Sequence, residues 1–340
     1  MTTTARRRWS RELESQVDGV AIGRSGPVVL HGYEPPAGGK WIDSVIPGQL
    51  SALDRNSGDT LWRVPCEVGY GRGFGAGIGA NGKVLVLGPG SSGHLIARMH
   101  LANGELDSAA EIAAFDEALV GDDVCVCLNA PRVFAIDSKG LKESWVYATE
   151  GERYHHVRRV DDLVLVVFSR RDSGRQGILR LDAETGSFEG ILVEPQLPVI
   201  HDLAATAGTA VALTCGLSYA LPDERLEKLH GELAANGGGE RDTLSLIALP
   251  VDGEPRTDPH WFRVLDTRPM DELPEASIQA DSGKLYLERG ALLEAVDALT
   301  GRALGNWTVP GLDERLSWCV VDGAGLLAEE TRVSLFELPA

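Results

Sequence analysis

One turn signature recurs along this chain and constrains its fold more than any other feature. Ala52-Leu53-Asp54-Arg55-Asn56-Ser57-Gly58-Asp59-Thr60-Leu61-Trp62 reads as strand, tight turn, strand. Ala135-Ile136-Asp137 leads through Gly140 to Trp145. Leu181-Asp182-Ala183-Glu184-Thr185-Gly186 repeats the turn, as does Ala295-Val296-Asp297-Ala298-Leu299-Thr300-Gly301, which is followed by Trp307. Weaker copies are Leu101-Ala102-Asn103-Gly104 and Leu249-Pro250-Val251-Asp252-Gly253, the second followed by Trp261. The mechanics are local. Asp and Ser/Thr side chains cap the turn, Gly takes the position needing φ > 0, and a Trp placed flat between neighbouring units satisfies both its area and its N–H. A supersecondary unit copied many times buries its faces against its own copies.

Between the turns lie short apolar or alternating runs bounded by Gly, Asp and Asn, with almost no helical periodicity. Four strands per repeat predict an all-β, seven-bladed β-propeller with blades at 15–68, 69–110, 111–150, 151–195, 196–267, 268–310 and 311–340. The last blade supplies three strands from the end of the chain. Residues 1–14, with the strand-length run Arg8–Leu13, are expected to provide its outer strand and to close the fold, with Trp9 as that blade's docking Trp. One helix is predicted, at 222–236 within blade five, started by Pro222-Asp223-Glu224 and stopped by Asn236-Gly237-Gly238-Gly239.

The turn strings resemble the tryptophan-docking motif A-x-D-x-x-T-G-x-x-x-W of pyrroloquinoline-quinone (PQQ) type propellers. The first copy matches closely. Blades two and four depart from it, with Ser108 and Gly190 where the motif has Trp. The resemblance implies the fold. It also brings PQQ-dependent dehydrogenases into view, which hold the quinone on adjacent cysteines beside a calcium site. This chain has no Cys-Cys dipeptide and no spacing of Asp, Glu and Asn that assembles such a site, so no cofactor and no metal are expected. Outer-membrane assembly propellers share the repeat, but this N-terminus has no lipobox cysteine.

Charge narrows the partners. Fifty acidic against 32 basic residues give a net charge of −18, a field that repels phosphate backbones and anionic membranes. No nucleic acid and no membrane are expected. Arg6-Arg7-Arg8 is not followed by an apolar stretch, and no run is long enough to span a bilayer, so a cytoplasmic location is the expectation. The five cysteines (66, 125, 127, 215 and 319) lie in or beside apolar runs and read as buried thiols. Neither a G-x-S-x-G string nor a His pair at i, i+4 is present, and the Gly-rich stretches are not followed by helices that would make them phosphate loops.

The ornaments fall on one face. Long insertions are expected between second and third strands: 32–43 in blade one, 170–175 in blade four, and the helix in blade five. The starts of the first strands point to the same mouth and bring Tyr70, Arg72, Arg153, Tyr154, His155, His201, Asp202, Glu275 and Trp318 toward it. Counted back from the following turn, His155 and His201 occupy corresponding places in adjacent blades, whereas His156 is expected to face the blade interior. His155, His201 and Glu275 are the candidate proton shuttles. Arg72 or Arg153 would hold a carboxylate, Tyr33, Trp41 and Tyr70 would stack on a ligand, and Tyr154, Asp202 and Trp318 would complete the wall. Two readings stay open. One is a pocket for a polar or aromatic small molecule, extending to cofactor-free acid–base chemistry of the cyclisation, condensation or lyase type. The other is a scaffold that grips a protein through loop 32–43 and helix 223–234.

Overall fold

The computed structural model describes residues 3–14, 16–23, 28–33, 48–66, 68, 75–79, 82–90, 93–197, 199–215, 244–254, 259–266 and 276–338. The predicted helix and most of loop 32–43 lie outside them. The chain is an all-β propeller with four-stranded, antiparallel blades, and it divides into two compact units.

One unit is mainly Tyr147–Thr308. It contains sheet four (Glu152–Val160, Leu163–Arg170, Gln176–Asp182 and Phe188–Leu197) and sheet five (Val199–Thr206, Thr209–Cys215, Leu244–Pro250 and Trp261–Asp266). Sheet six, Ala276–Asp281 through Ala303–Thr308, follows. The other unit is mainly Thr4–Asn129, Val133–Val146 and Val309–Ala340. It holds sheets one (from Gln16–Ile22 to Thr60–Cys66), two (Gly75–Ile78 to Leu106–Ile112) and three (Glu117–Val120 to Lys142–Tyr147). Its remaining sheet, seven, pairs Ser317–Val321, Ala324–Ala328 and Arg332–Glu337 with Arg6–Glu12 from the other end of the chain. Within 1–14 the expectation needs one correction. Thr3–Thr4 leaves that sheet and forms a fifth strand at the edge of sheet six.

Middle strands are buried along nearly their whole length, as in Leu163–Arg170 and Leu244–Pro250. They lie between two packed sheets and so read as continuous apolar runs. Fourth strands show one face to water: in Lys142–Tyr147 only Trp145 is buried. Side chains of adjacent sheets interdigitate. Leu165, Val167 and Ile178 of sheet four pack with Leu203, Ala212 and Ile247 of sheet five, and each such fully buried aliphatic contributes about 1.5–3 kcal/mol.

The turns form as their residues require. Asp54 Oδ1 accepts the Asn56 and Ser57 N–H groups at 2.9 and 2.8 Å. Asp297 Oδ1 accepts the Thr300 N–H and hydroxyl at 2.8 and 2.6 Å. Trp9, Trp62 and Trp261 donate their indole N–H to Arg55, Leu101 and Ala298 carbonyls of the following sheet, at 2.8, 2.7 and 2.9 Å. Each ring lies over the turn glycine. A Cβ on Gly58, Gly104 or Gly301 would come within 2.7, 2.7 or 2.6 Å of it, and all three have φ near +70°. Trp307 sits differently from the motif. Gly305 pairs with Ala295, and the Trp307 ring reaches back to within 2.5 Å of where a Gly305 Cβ would stand.

Sheets two and four lack the Trp and replace it. Arg98 pairs across with Ser108, and Arg180 with Gly190. Arg98 donates to the Ser138 and Lys139 carbonyls of sheet three. Arg180 donates to the Val251 and Gly253 carbonyls of sheet five at 2.9 and 3.1 Å. The facing position is alanine for two of the tryptophans, Ala52 opposite Trp62 and Ala248 opposite Trp261. A guanidinium reaching from the third strand thus performs the bridging that an indole performs from the fourth.

Candidate functional site

The first strands of sheets four and five share one irregularity. In sheet four, Tyr154 pairs with Phe168 and His156 with Val167, leaving His155 as an extra residue. In sheet five, Ile200 pairs with Thr214 and Asp202 with Leu213, leaving His201. Both bulges lie at the same distance from the following turn, whose closing pairs are Val160 with Leu163 and Thr206 with Thr209. The first strand of sheet one has a shift of its own, between Val17 and Gly19, whereas those of sheets two, three, six and seven pair without one. A bulge breaks the alternation of side chains and re-aims the extra residue. The two bulged strands pack beside each other in one unit.

His155 is half-buried and its Nε2 meets Ser169 Oγ at 2.8 Å. Withdrawal from water lowers its pKa below the usual imidazole range, and the charges of His156 and Arg153 add to this. His201 is exposed. Its pKa is also lowered, by partial desolvation and by His156, against the opposing pull of Asp202. His156 is half-buried and acts electrostatically on both histidines.

Asp202 ties three sheets together. Its Oδ1 accepts Arg158 Nη2 of sheet four and the Leu203 N–H, both at 2.8 Å, and its Oδ2 accepts the Ile278 N–H of sheet six at 2.9 Å. Both carboxylate oxygens are therefore engaged. Below the bulges, Gln176 Oε1 accepts the Ile200 N–H, and Thr214 donates to the Val199 carbonyl at 2.6 Å. These bonds fix the backbone just before His201. Ser169, Arg158 and Gln176 were not anticipated as supports, because their role depends on strand register, which no local spacing encodes.

Tyr154 is buried, not part of an open wall. It packs edge-on against Tyr147, donates to Glu152 at 3.1 Å and accepts the Thr149 N–H at 3.0 Å. Arg153 is exposed. Trp318 belongs to the other unit, half-buried and paired with Leu327. Tyr33 ends a described strand, but its side chain lies outside the described set, as do Trp41, Tyr70, Arg72 and Glu275. Of the candidates, the structure therefore brings His155, His201, Asp202 and Arg153 onto two neighbouring strands.

Among the described residues no group of three or more His, Cys, Asp or Glu is placed to hold a metal ion. The thiols are poor nucleophiles: Cys66, Cys125 and Cys127 are buried, and burial pushes the Cys125 pKa up to about 12. No helix of the described residues is long and apolar enough to cross a membrane.

No protein-family model matches this sequence, and no curated protein does. Solved structures do. BamB from Moraxella catarrhalis aligns over 98% of this chain and 97% of its own at 14% identity, with a TM-score of 0.48. The computationally designed protein Ika8 aligns over 98% and 100% at 10% identity, with a TM-score of 0.53. At such identity the likeness concerns the fold alone.

Proposed function

We propose that the sheets are consecutive blades of one closed, seven-bladed ring built from PQQ-like repeats, and that its function is to bind a polar small molecule at the lip carrying His155 and His201. The observation that supports this is the pair of bulges. Two adjacent first strands break their ladder at one register, and each places a histidine there. A bulge weakens pairing and persists where it re-aims a side chain to some purpose. The Ser169 contact then holds the His155 ring, and the Asp202 latch fixes the strand beside His201. With their pKa values lowered, both are neutral near pH 7, so each offers one donor and one acceptor nitrogen. That is the state a general base needs, which extends the reading to cofactor-free proton transfer on the bound molecule.

A thermal-shift screen against amino acids, carboxylic acids and aromatic amines tests the binding. The expected result is a compound that raises the melting temperature of the native chain, with the shift lost in His155→Ala and in His201→Ala. A panel with no such compound, or shifts that survive in both variants, overturns the reading and turns attention to protein partners.

A further inference from the structure

We infer that the groove between sheets two and three is a second binding site, independent of the histidine lip, and that it takes a small aromatic amine. The ring of that amine fills the slot where other repeats lay a tryptophan. The chain supplies the comparison itself, within one compact unit. Between sheets one and two the slot is full. Trp62 lies over Gly104 and packs with Cys66, Ala97 and Met99, and the space left beside them is about 60 Å³. Between sheets two and three, Ser108 faces Arg98 as Trp62 faces Ala52, and the groove measures about 470 Å³. Ala110 and Ile112 of the outer strand Leu106–Ile112 form one wall, and Phe134, Ile136 and Leu141 of sheet three form the floor. Pockets that hold small molecules are of this kind, about 300–1,000 Å³ and mostly apolar.

Leu141 is the second observation. Its N–H donates to the Asp137 carbonyl at 2.8 Å, as Gly58 donates to Asp54 and Gly104 to His100, so it stands at the turn position that other repeats give to glycine. Its φ of 53° lies in the left-handed region, which a side chain occupies at a cost and which recurs at ligand sites. Under Trp62 a Cβ at this position would come within 2.7 Å of the ring. A leucine here therefore needs a slot that no indole of the chain fills, and the buried Leu141 side chain becomes its floor. The polar groups around the slot set the rest of the ligand. The Ser138 carbonyl, counterpart of the Leu101 carbonyl that accepts the Trp62 N–H, is already bonded by Arg98, so a plain phenyl ring suffices. At the mouth stand the exposed Glu111 and Glu143 against Lys142. This acidic excess, on a chain of net charge −18, favours a cationic tail over an anionic one.

Calorimetric titration of the intact chain with phenethylamine tests this, beside cyclohexylethylamine and 3-phenylpropionate. Phenethylamine is expected to bind, the saturated amine more weakly, and the acid about fivefold or more weakly. Ala110→Phe, which sets a ring into the groove from a half-buried position, should abolish binding. Arg98→Ala combined with Ser108→Trp should do the same from the turn, so that a folding failure in one variant leaves the other. Glu111→Gln with Glu143→Gln, at exposed positions, should remove the preference for amine over acid without moving the unliganded melting temperature. His155→Ala should bind phenethylamine as the native chain does, so the lip reading and this one stand or fall separately. Binding that survives in both filled variants, or that is lost in His155→Ala, overturns the groove as the site. Equal binding of cyclohexylethylamine overturns the aromatic slot, and equal binding of the acid overturns the cationic tail. No binding by any of the three overturns the inference and leaves the groove to an apolar side chain of a protein partner.

Discussion

Arg98 and Arg180 each do from a third strand what Trp9, Trp62 and Trp261 do from a fourth. All five side chains donate N–H groups to turn carbonyls of the next sheet. The two solutions exclude each other sterically. A Cβ on Gly190 would come within 2.9 Å of the Arg180 guanidinium, so the residue opposite the arginine must be small, as Ser108 and Gly190 are. Removing a charged donor from buried carbonyls costs about 2–3 kcal/mol. Arg180→Ala, at a buried position, should lose at least that in chemical denaturation. The sharper experiment is an exchange. Arg98→Ala should destabilise, and Arg98→Ala combined with Ser108→Trp should recover most of the loss, since an indole then has both the slot and a carbonyl. A double variant no more stable than Arg98→Ala would show that the slots are not interchangeable. The exchange was present in the sequence, as an arginine standing at the alanine of the motif in the two repeats without Trp. Reading the Trp as merely missing hid it, because the cross-strand register that pairs Arg98 with Ser108 is not a local property.

At the scale of the element, the four-residue turn is the unit that repeats, and its carboxylate is the group most exposed to acid. Asp54, Asp182 and Asp297 have pKa values held below the ordinary carboxylate range. The first cause is the Ser57 backbone N–H at Asp54 and the Thr185 and Thr300 hydroxyls at the other two. A carboxyl with a depressed folded pKa contributes stability that is fully present above the unfolded value, about 3.9, and is lost as pH falls through the folded value. The melting temperature should therefore drop steeply below about pH 4, and Asp297→Asn should flatten part of that slope. A slope unchanged in Asp297→Asn would mean that other carboxylates govern the acid transition. The turns were legible because their chemistry is contiguous in sequence. The lip was legible only in part. Corresponding places in two repeats made His155 and His201 candidates, but the bulges at which both stand arise from an unequal count of residues on facing strands. Register likewise decides that Asp202 bonds across three sheets and that Tyr154 is buried.

At the scale of the molecule, the strand Arg6–Glu12 joins the first residues of the chain to the last sheet, and what depends on it can be stated contact by contact. It pairs with Arg332–Glu337 along its length, Ser10 meets Ser334 at 2.9 Å, and Arg11 reaches the Ser57 carbonyl of sheet one at 2.8 Å. Trp9 packs with Val17, Leu53, Leu326 and Leu335, so it belongs to the core between sheets seven and one. Without this strand, sheet seven would present a three-stranded open edge, and edges of that kind pair with other chains. Truncating a buried Trp costs about 3–5 kcal/mol, and a chain of this size shifts by roughly 1–2 °C per kcal/mol. Trp9→Ala alone should therefore lower the melting temperature by about 5 °C. Deleting residues 1–14 should lower it further and cause concentration-dependent association, visible by light scattering. A synthetic peptide of residues 1–14 added to the truncated chain should restore both the melting temperature and the monomer, because strand and sheet reassemble through the same ladder. A truncated chain that melts with the intact one would mean that sheet seven holds with three strands and that Trp9 fills a slot the core does not need.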